Sequence, residues 1–139
     1  MSDSQRFPVA AHALAYLAHK GATGADAAVS SAELAASIPT NPVVVRRVTA
    51  LLAKAGLIGT RPGANGGAWL LRPATGINLG EVLRAVHGCG HFGVPPPGAQ
   101  GCLVGERIPR QVVKAIEAAD AAASARLAGI SVADLLREA

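Results

Sequence analysis

The chain has 139 residues and a mass of 13.9 kDa, which suits one compact domain, or one domain plus an assembly element. Half of the residues are hydrophobic but only 3% are aromatic (Phe7, Tyr16, Trp69 and Phe92), so alanine, valine and leucine must do the packing. No apolar run approaches the roughly 18–20 residues that span a bilayer, no signal peptide is evident, and two cysteines do not make a disulfide scaffold. Membrane, secreted and fibrous classes are set aside, and a reducing cytoplasm is the expected setting.

The net charge of +4 is unevenly placed. From Leu34 to Gly80 there is no Asp or Glu, while Arg46, Arg47, Lys54, Arg61 and Arg72 contribute five positive charges. The rest of the chain holds the other eight basic residues against all nine acids. A basic field confined to one third of the sequence points to a polyanion partner, because each neutralised phosphate releases counterions.

Apolar residues at Phe7, Ala10, Leu14 and Leu17 predict a first helix over about 5–20, capped by Ser4, with Pro8 tolerated in its first turn. Ser30 with Glu33 three positions on predicts a capping box and a short second helix that ends near Ser37, ahead of Pro39. Asn41 as N-cap and Pro42 at N1 start a third helix that runs to Ala55, with Gly56 beyond its end. Val44, Val48, Leu51 and Ala55 form its expected core face; Pro42, Val45, Arg46, Thr49 and Ala53 fall on or near the wet side. Two short helices joined by a tight turn, the second carrying paired arginines, read as a helix-turn-helix.

Leu57–Arg61 and Ala68–Arg72 are β-type runs around Pro62-Gly63-Ala64-Asn65-Gly66-Gly67, a turn rich in residues that tolerate positive φ. A hairpin directly after a recognition-type helix is the winged-helix arrangement. Its small-residue tip lets backbone N–H groups approach phosphate, and Arg61 at its base can reach a phosphate or a minor groove. Asn78 and Glu81 open a fourth helix packing through Leu79, Val82, Leu83 and Val86. A Gly/Pro-rich loop follows to Gly105, and a fifth helix is expected from about Pro109 to Leu127, with Val112, Ile116, Ala119, Ala123 and Leu127 along one side. That stripe of small residues suits close approach of two helices. Gly129 ends it, and Ser131 to Asp134 opens a last short helix.

Arg6-Phe7 through Leu17, Ser31-x-x-Leu34-Ala35, Thr40-Asn41-Pro42-Val43-Val44-Val45-Arg46-Arg47-Val48, Leu51, Ala55-Gly56-Leu57-Ile58 and Gly63-Ala64-Asn65-Gly66-Gly67-Ala68-Trp69-Leu70-Leu71 together resemble the Rrf-two family of bacterial winged-helix transcription regulators. The likeness covers essentially the whole chain and is densest from Phe7 to Val86. It implies a homodimer held by the long fifth helix, a palindromic operator and, usually, repression. The candidate DNA-binding residues are Ser31, Thr40, Asn41, Pro42, Val45, Arg46, Arg47 and Thr49 on the helix-turn-helix, with Arg61, Asn65 and Gly66 on the wing. Thr40, Asn41 and Arg46 are types that read base edges or grip phosphate, whereas Arg47 nearer the flank is expected on phosphate or a helix end, and Lys54 in solvent.

Many members of that family ligate an iron–sulfur cluster through three cysteines in the loop after the fourth helix. Here that loop holds His87, Cys89, His91 and Cys102, and these are the only two cysteines of the chain. A cluster would have to recruit histidine or a partner-subunit residue, which some clusters do. The His-x-Cys-x-His spacing with a distant cysteine matches no common zinc motif. Three readings of the loop stand: a metal or cluster site on His87, Cys89, His91 and Cys102, a Cys89–Cys102 thiol switch, or inert thiols. No cofactor is assigned, a cluster being disfavoured by the cysteine count.

The expected architecture is thus mainly α with a small β-hairpin: a winged helix-turn-helix over 1–86, a Cys/His/Pro-rich loop over 87–105, and a dimerisation helix with a C-terminal helix over 106–139. The expected function is a cytoplasmic, homodimeric, sequence-specific regulator of double-stranded DNA, with no enzyme activity and no membrane partner; a small thiol or metal enzyme on His87, Cys89 and His91 is disfavoured because no acid–base pair sits near them. A winged-helix protein–protein adaptor without DNA binding is the alternative, and the acid-free window argues against it.

Overall fold

The computed structural model describes residues 5–88 and 92–137. Ser4, Cys89 and His91 lie outside the described residues. Six α-helices and one hairpin follow one another: α1 (Arg6–His19), α2 (Ser31–Ser37), α3 (Pro42–Lys54), β1 (Ile58–Arg61), β2 (Gly67–Leu70), α4 (Leu79–His87), α5 (Leu103–Ala128) and α6 (Val132–Arg137), with single 3-10 turns at Ala25–Ala27 and Ala74–Gly76.

Helix α1 is the hub. Val9, Ala10, Ala13, Leu14 and Leu17 are buried along it, and α3, α4 and α6 all pack against it. Alanine at two of those positions lets the surrounding helices come close, which is how a chain with few aromatics still closes its core. The core cluster runs on through Leu34 and Ile38, the α3 valines, Leu57 and Ile58, Ala68 and Leu70, Ile77, and the apolar side of α4. Val132 of α6 belongs to the same cluster at 0% exposure; its N–H donates to the Ile77 carbonyl at 2.8 Å, and Leu79 N–H donates to the Ile130 carbonyl at 2.8 Å.

The strands pair antiparallel with Ile58 opposite Leu70 and Arg61 opposite Gly67. The hairpin does not stand alone. Val29 and Ala68 exchange both backbone hydrogen bonds, at 2.9 and 2.8 Å, which stitches β2 to the residue just ahead of α2. Gly67 permits this contact: its φ is +154°, and a Cβ there would lie 2.3 Å from the Val29 carbonyl oxygen.

Most caps fall where the sequence places them. Asn41 Oδ1 accepts from Val43 N–H at 2.9 Å, Gly56 takes a positive φ of +77°, and Asn78 with Glu81 forms a complete capping box. The α2 box is only half made: Ser30 Oγ accepts from Glu33 N–H at 3.1 Å, but the Glu33 carboxylate turns to α1 instead.

Two expectations are corrected. The long helix begins at Leu103, six residues before the predicted Pro109, because the Cys102 sulfur accepts from Gly105 N–H at 3.3 Å and caps it. Pro109 therefore lies inside α5 and has no N–H to offer the Gly105 carbonyl. Gly98 packs against that oxygen so tightly that a Cβ on it would lie 1.5 Å away. In α3, Val45 is 1% exposed and belongs to the core with Val44, Val48 and Leu52, whereas Ala55 is exposed. Three successive valines allow two apolar faces one column apart, and packing against α2 selects the one that includes Val45.

Helix α5 has no buried residue. Its C-terminal part docks on α4 at Gly80, where a Cβ would meet the Ser124 carbonyl at 3.2 Å, and Leu127 packs on the core. Its N-terminal half carries exposed Leu103, Val104, Ile108, Val112 and Val113.

Because Val132 is integral to the core, Val132→Ala is expected to lower unfolding stability by about 2–3 kcal/mol, two methylene equivalents plus a residual cavity. Urea unfolding measures it; a loss below about 0.5 kcal/mol, the scale of surface substitutions, would show α6 to be peripheral.

Candidate nucleic-acid interface

Helices α2 and α3 meet across Ile38–Asn41, and α3 presents its N-terminus outward. Asn41, Pro42 and Val43 are all exposed there. The exposed stripe continues with Arg46 and Arg47, three and four residues beyond Val43, and then Ala50, so both arginines stand on the open face, while exposed Lys54 lies at the far end of the helix. Asn41 has its side-chain oxygen committed to the cap, which turns its amide N–H groups away from the helix. Thr40 is half-buried and donates its hydroxyl to Gln5 Oε1 at 3.1 Å, while the Thr49 hydroxyl donates to the Arg46 carbonyl at 3.0 Å. Ser31, Ala32, Ala35, Pro42, Val45 and Arg46 line a crevice between α2 and α3, with buried Val45 as its wall. Val45 is thereby removed from the surface expected to meet a ligand. Val43, absent from the sequence-based set, is 43% exposed in its place.

A polar group orients α2 against α1. The Tyr16 hydroxyl donates to Glu33 Oε1 at 2.8 Å, Lys20 Nζ stands 3.3 Å from the same oxygen, and His12 Nε2 and Ser37 Oγ are 3.0 Å apart. The Tyr16 hydrogen bond, with Lys20, holds the Glu33 carboxyl below the ordinary glutamate range, and the same bond raises the Tyr16 phenol.

In the wing, the Arg61 guanidinium is folded back. Its Nη2 donates to the Asn65 carbonyl at 3.1 Å and to the Ala25 carbonyl at 3.4 Å, while Gly66 N–H closes the tip onto the Gly63 carbonyl at 3.0 Å. Arg61 thus braces the wing while remaining exposed, as are Gly63, Ala64 and Asn65; Gly66 is half-buried.

The basic field is smaller than the count of arginines suggests. Arg72 pairs with Glu81, the first acid beyond the acid-free window, through Nη1–Oε1 at 2.8 Å and Nη2–Oε2 at 3.2 Å. It also donates to the Gly76 carbonyl. Sequence spacing could not show this pairing, which depends on β2 and α4 being adjacent in space. Arg46, Arg47 and Lys54 have no ion pair among the described residues.

Of the loop, His87 lies half-buried in the last turn of α4, and Cys102 is exposed as a free thiol at the start of α5. The distance of either from Cys89 and His91 falls outside the described residues.

Residues 3–138 match the model of the Rrf2 (Rrf-two) family, described as iron-dependent transcriptional regulator. The YwnA protein of Bacillus subtilis (strain 168), named as a candidate HTH-type transcriptional regulator, is 34% identical over 134 residues, 96% of each chain. A solved structure of a candidate DNA-binding protein is 33% identical with a TM-score of 0.72, covering 94% of this chain and 98% of that one. A candidate transcriptional regulator from Lactobacillus plantarum superposes with a TM-score of 0.77 at 27% identity, over 96% of this chain and 89% of that one. The iron in the family description finds a poor donor set: a three-cysteine site cannot be assembled from two cysteines, and Cys102 is engaged as a helix cap. Among the described residues no three His, Cys, Asp or Glu side chains converge; Cys89 and His91 lie outside them.

The Arg72 guanidinium holds the Glu81 carboxyl below the ordinary glutamate range. A depressed carboxylate adds stability in full above its unfolded value near 4.3, and the contribution fades as pH falls through the lower folded value. Glu81→Gln should therefore be less stable than wild type by a constant margin above about pH 5, and the margin should shrink on acidification. Urea midpoints between neutral pH and about pH 3 test this; a margin that widens in acid contradicts it.

Proposed function

Since this chain belongs to the Rrf2 family of transcription regulators and has its winged-helix fold, we propose that it represses transcription in the cytoplasm as a homodimer on a palindromic operator. DNA-binding regulation is the function of the family; the dimer, the operator symmetry, the sign of control and the individual contacts are the reading offered here. The observation that carries it is the outward stripe Val43, Arg46, Arg47 and Ala50 at the exposed start of α3, beside a braced glycine wing. Recognition helices use their N-terminal residues on base edges, and this one offers apolar, amide and guanidinium groups together.

Each contact then takes a chemical role. Arg46 reads guanine or grips phosphate, Val43 covers a thymine methyl, and the Asn41 amide together with the Ser31 hydroxyl donates to phosphate or base edges, while Thr40, whose hydroxyl hydrogen goes to Gln5, keeps its oxygen to accept from a base amino group. Pro42 sets the helix start, and Arg47 neutralises the backbone. Thr49, bonded to its own helix, plays a minor part. On the wing, Arg61 keeps the tip in place, and Asn65 with the Gly66 backbone approaches the neighbouring groove or phosphates. Among the described residues no helix is long and apolar enough to cross a membrane.

The exposed apolar side chains on the first half of α5 supply the dimer contact, since a helix of 26 residues with no buried side chain leaves its apolar surface uncovered in one chain. Two copies related by a two-fold axis would place their recognition helices about 34–36 Å apart, one turn of B-DNA. A thiol response completes the reading. A peroxide that takes two electrons and the two thiol hydrogens from Cys89 and Cys102, leaving as water or alcohol, joins them in a disulfide, takes up the sulfur that caps α5, and so couples oxidant to the proposed dimer helix.

Arg46→Ala is expected to weaken operator binding by about 1–3 kcal/mol and to relax base preference, whereas Arg61→Ala should weaken binding with little change in preference. Gel-shift titrations over a salt series read both, with a log–log slope near −0.9 per phosphate contacted. Unchanged operator affinity in both variants would remove the helix-and-wing docking and favour a protein–protein adaptor. Ile108→Asp should convert the dimer to a monomer in sedimentation; a dimer that persists moves the interface off α5.

A further inference from the structure

At the other end of α3 lies a second basic feature that the DNA reading does not use. A cleft of about 460 Å³ opens between the start of α1 and the ends of α3 and α4. Arg6, Lys54, Arg84 and His87 bring positive or protonatable groups to its rim, and Leu51, Ala55, Ala85 and Val86 form its apolar walls. No acid lines it. The adjoining hollow shares Ala55, Arg84 and Ala85 and contains Glu81, but that carboxylate is already paired with Arg72.

Helix C-termini attract cations, and two helices end here. Each terminus carries about half a negative charge, so α3 and α4 together compensate about one of the two charges on Lys54 and Arg84. Neither residue has an ion pair among the described residues, and both are exposed. A positive excess is left on Lys54 and Arg84, reduced by the field of Glu81, which Arg84 also feels. Arg6 reaches across the cleft floor, donating to the Val86 carbonyl at 3.4 Å. The volume falls in the range of small-molecule pockets, about 300–1,000 Å³.

We propose that this cleft binds a small multivalent anion, a carboxylate or phosphate compound with a short carbon skeleton, as an effector of DNA binding; the effector role rests on the regulator reading above, the binding site does not. Charge selects for the anion, and the alanine, leucine and valine walls accommodate its carbon atoms. A duplex fits the position less well. Lys54 lies twelve residues beyond Pro42, about 18 Å along the helix from its DNA-facing end, and the groups are set in a concave pocket. The same pocket is walled by the end of the recognition helix and by His87 and Gly88, where the chain leaves α4 for the loop leading to α5. An anion that draws Lys54 and Arg84 together therefore acts on the recognition helix and on the approach to the proposed dimer helix at once.

The test titrates full-length protein with citrate and, separately, with inorganic phosphate at constant ionic strength, by calorimetry and by amide chemical shifts. Saturable binding of at least one anion is expected, with shifts centred on Leu51–Ala55 and Arg84–Gly88, and the tighter of the two identifies the class. Arg84→Ala and Lys54→Ala, checked for folding by circular dichroism, should each weaken that binding at least tenfold and leave anion-free operator affinity unchanged. No saturable binding of either probe, or binding unaltered in both variants, overturns the site. A fall in anion-free operator affinity in both variants also overturns it, by assigning the cleft to the DNA backbone. The titration needs no operator, so its outcome stands apart from that of the regulator reading.

Discussion

The burial of one face of α1 governs the rest of this structure. Val9, Ala10, Ala13, Leu14 and Leu17 form a narrow wall against which α3, α4 and α6 each rest. Of the four aromatic side chains, Phe7, Tyr16 and Trp69 pack only at the margin of the core, so close approach at alanine does much of the closing. The wall also carries a polar edge. Tyr16, Lys20 and His12 project from the same helix to hold Glu33 and Ser37, so that α1 fixes the orientation of α2 and, through the α2–α3 crevice, the outward aim of Arg46.

The charge distribution shows how a tertiary contact revises a linear count. Arg72 sits in the acid-free window, yet Glu81 lies immediately beyond it and neutralises Arg72 once β2 and α4 are neighbours. Arg61 spends its guanidinium on two carbonyls of the wing and its surroundings. Of the cations in the acid-free window, those left without such partners among the described residues are on α3, and they divide between its two ends.

Much of the fold was legible because its signals are local. Asn41-Pro42, Asn78 with Glu81, and Gly56 are capping choices whose energetics involve only a turn of helix, and the structure realises each of them. What escaped the sequence depends on non-local contact. The valine triplet at 43–45 fits two faces, and only the packing of α2 decides that Val45 turns inward while Val43 faces solvent. Pro109 resembles a helix start, but a sulfur cap seven residues upstream overrides it. The Glu33 carboxylate, a natural half of a capping box, finds a better donor in a phenol from another helix. The interface residues were legible as chemical types, and their exposure was not.

The reciprocal hydrogen bonds between Val29 and Ala68 have a mechanical meaning. They weld the hairpin to the segment that leads into α2, leaving little freedom for the wing to swing independently of that helix. A chain built this way behaves as a rigid stamp. In the dimer proposed above, adjustment to different target sequences would come from how two such stamps are spaced and tilted, which puts discrimination between the copies and outside each one.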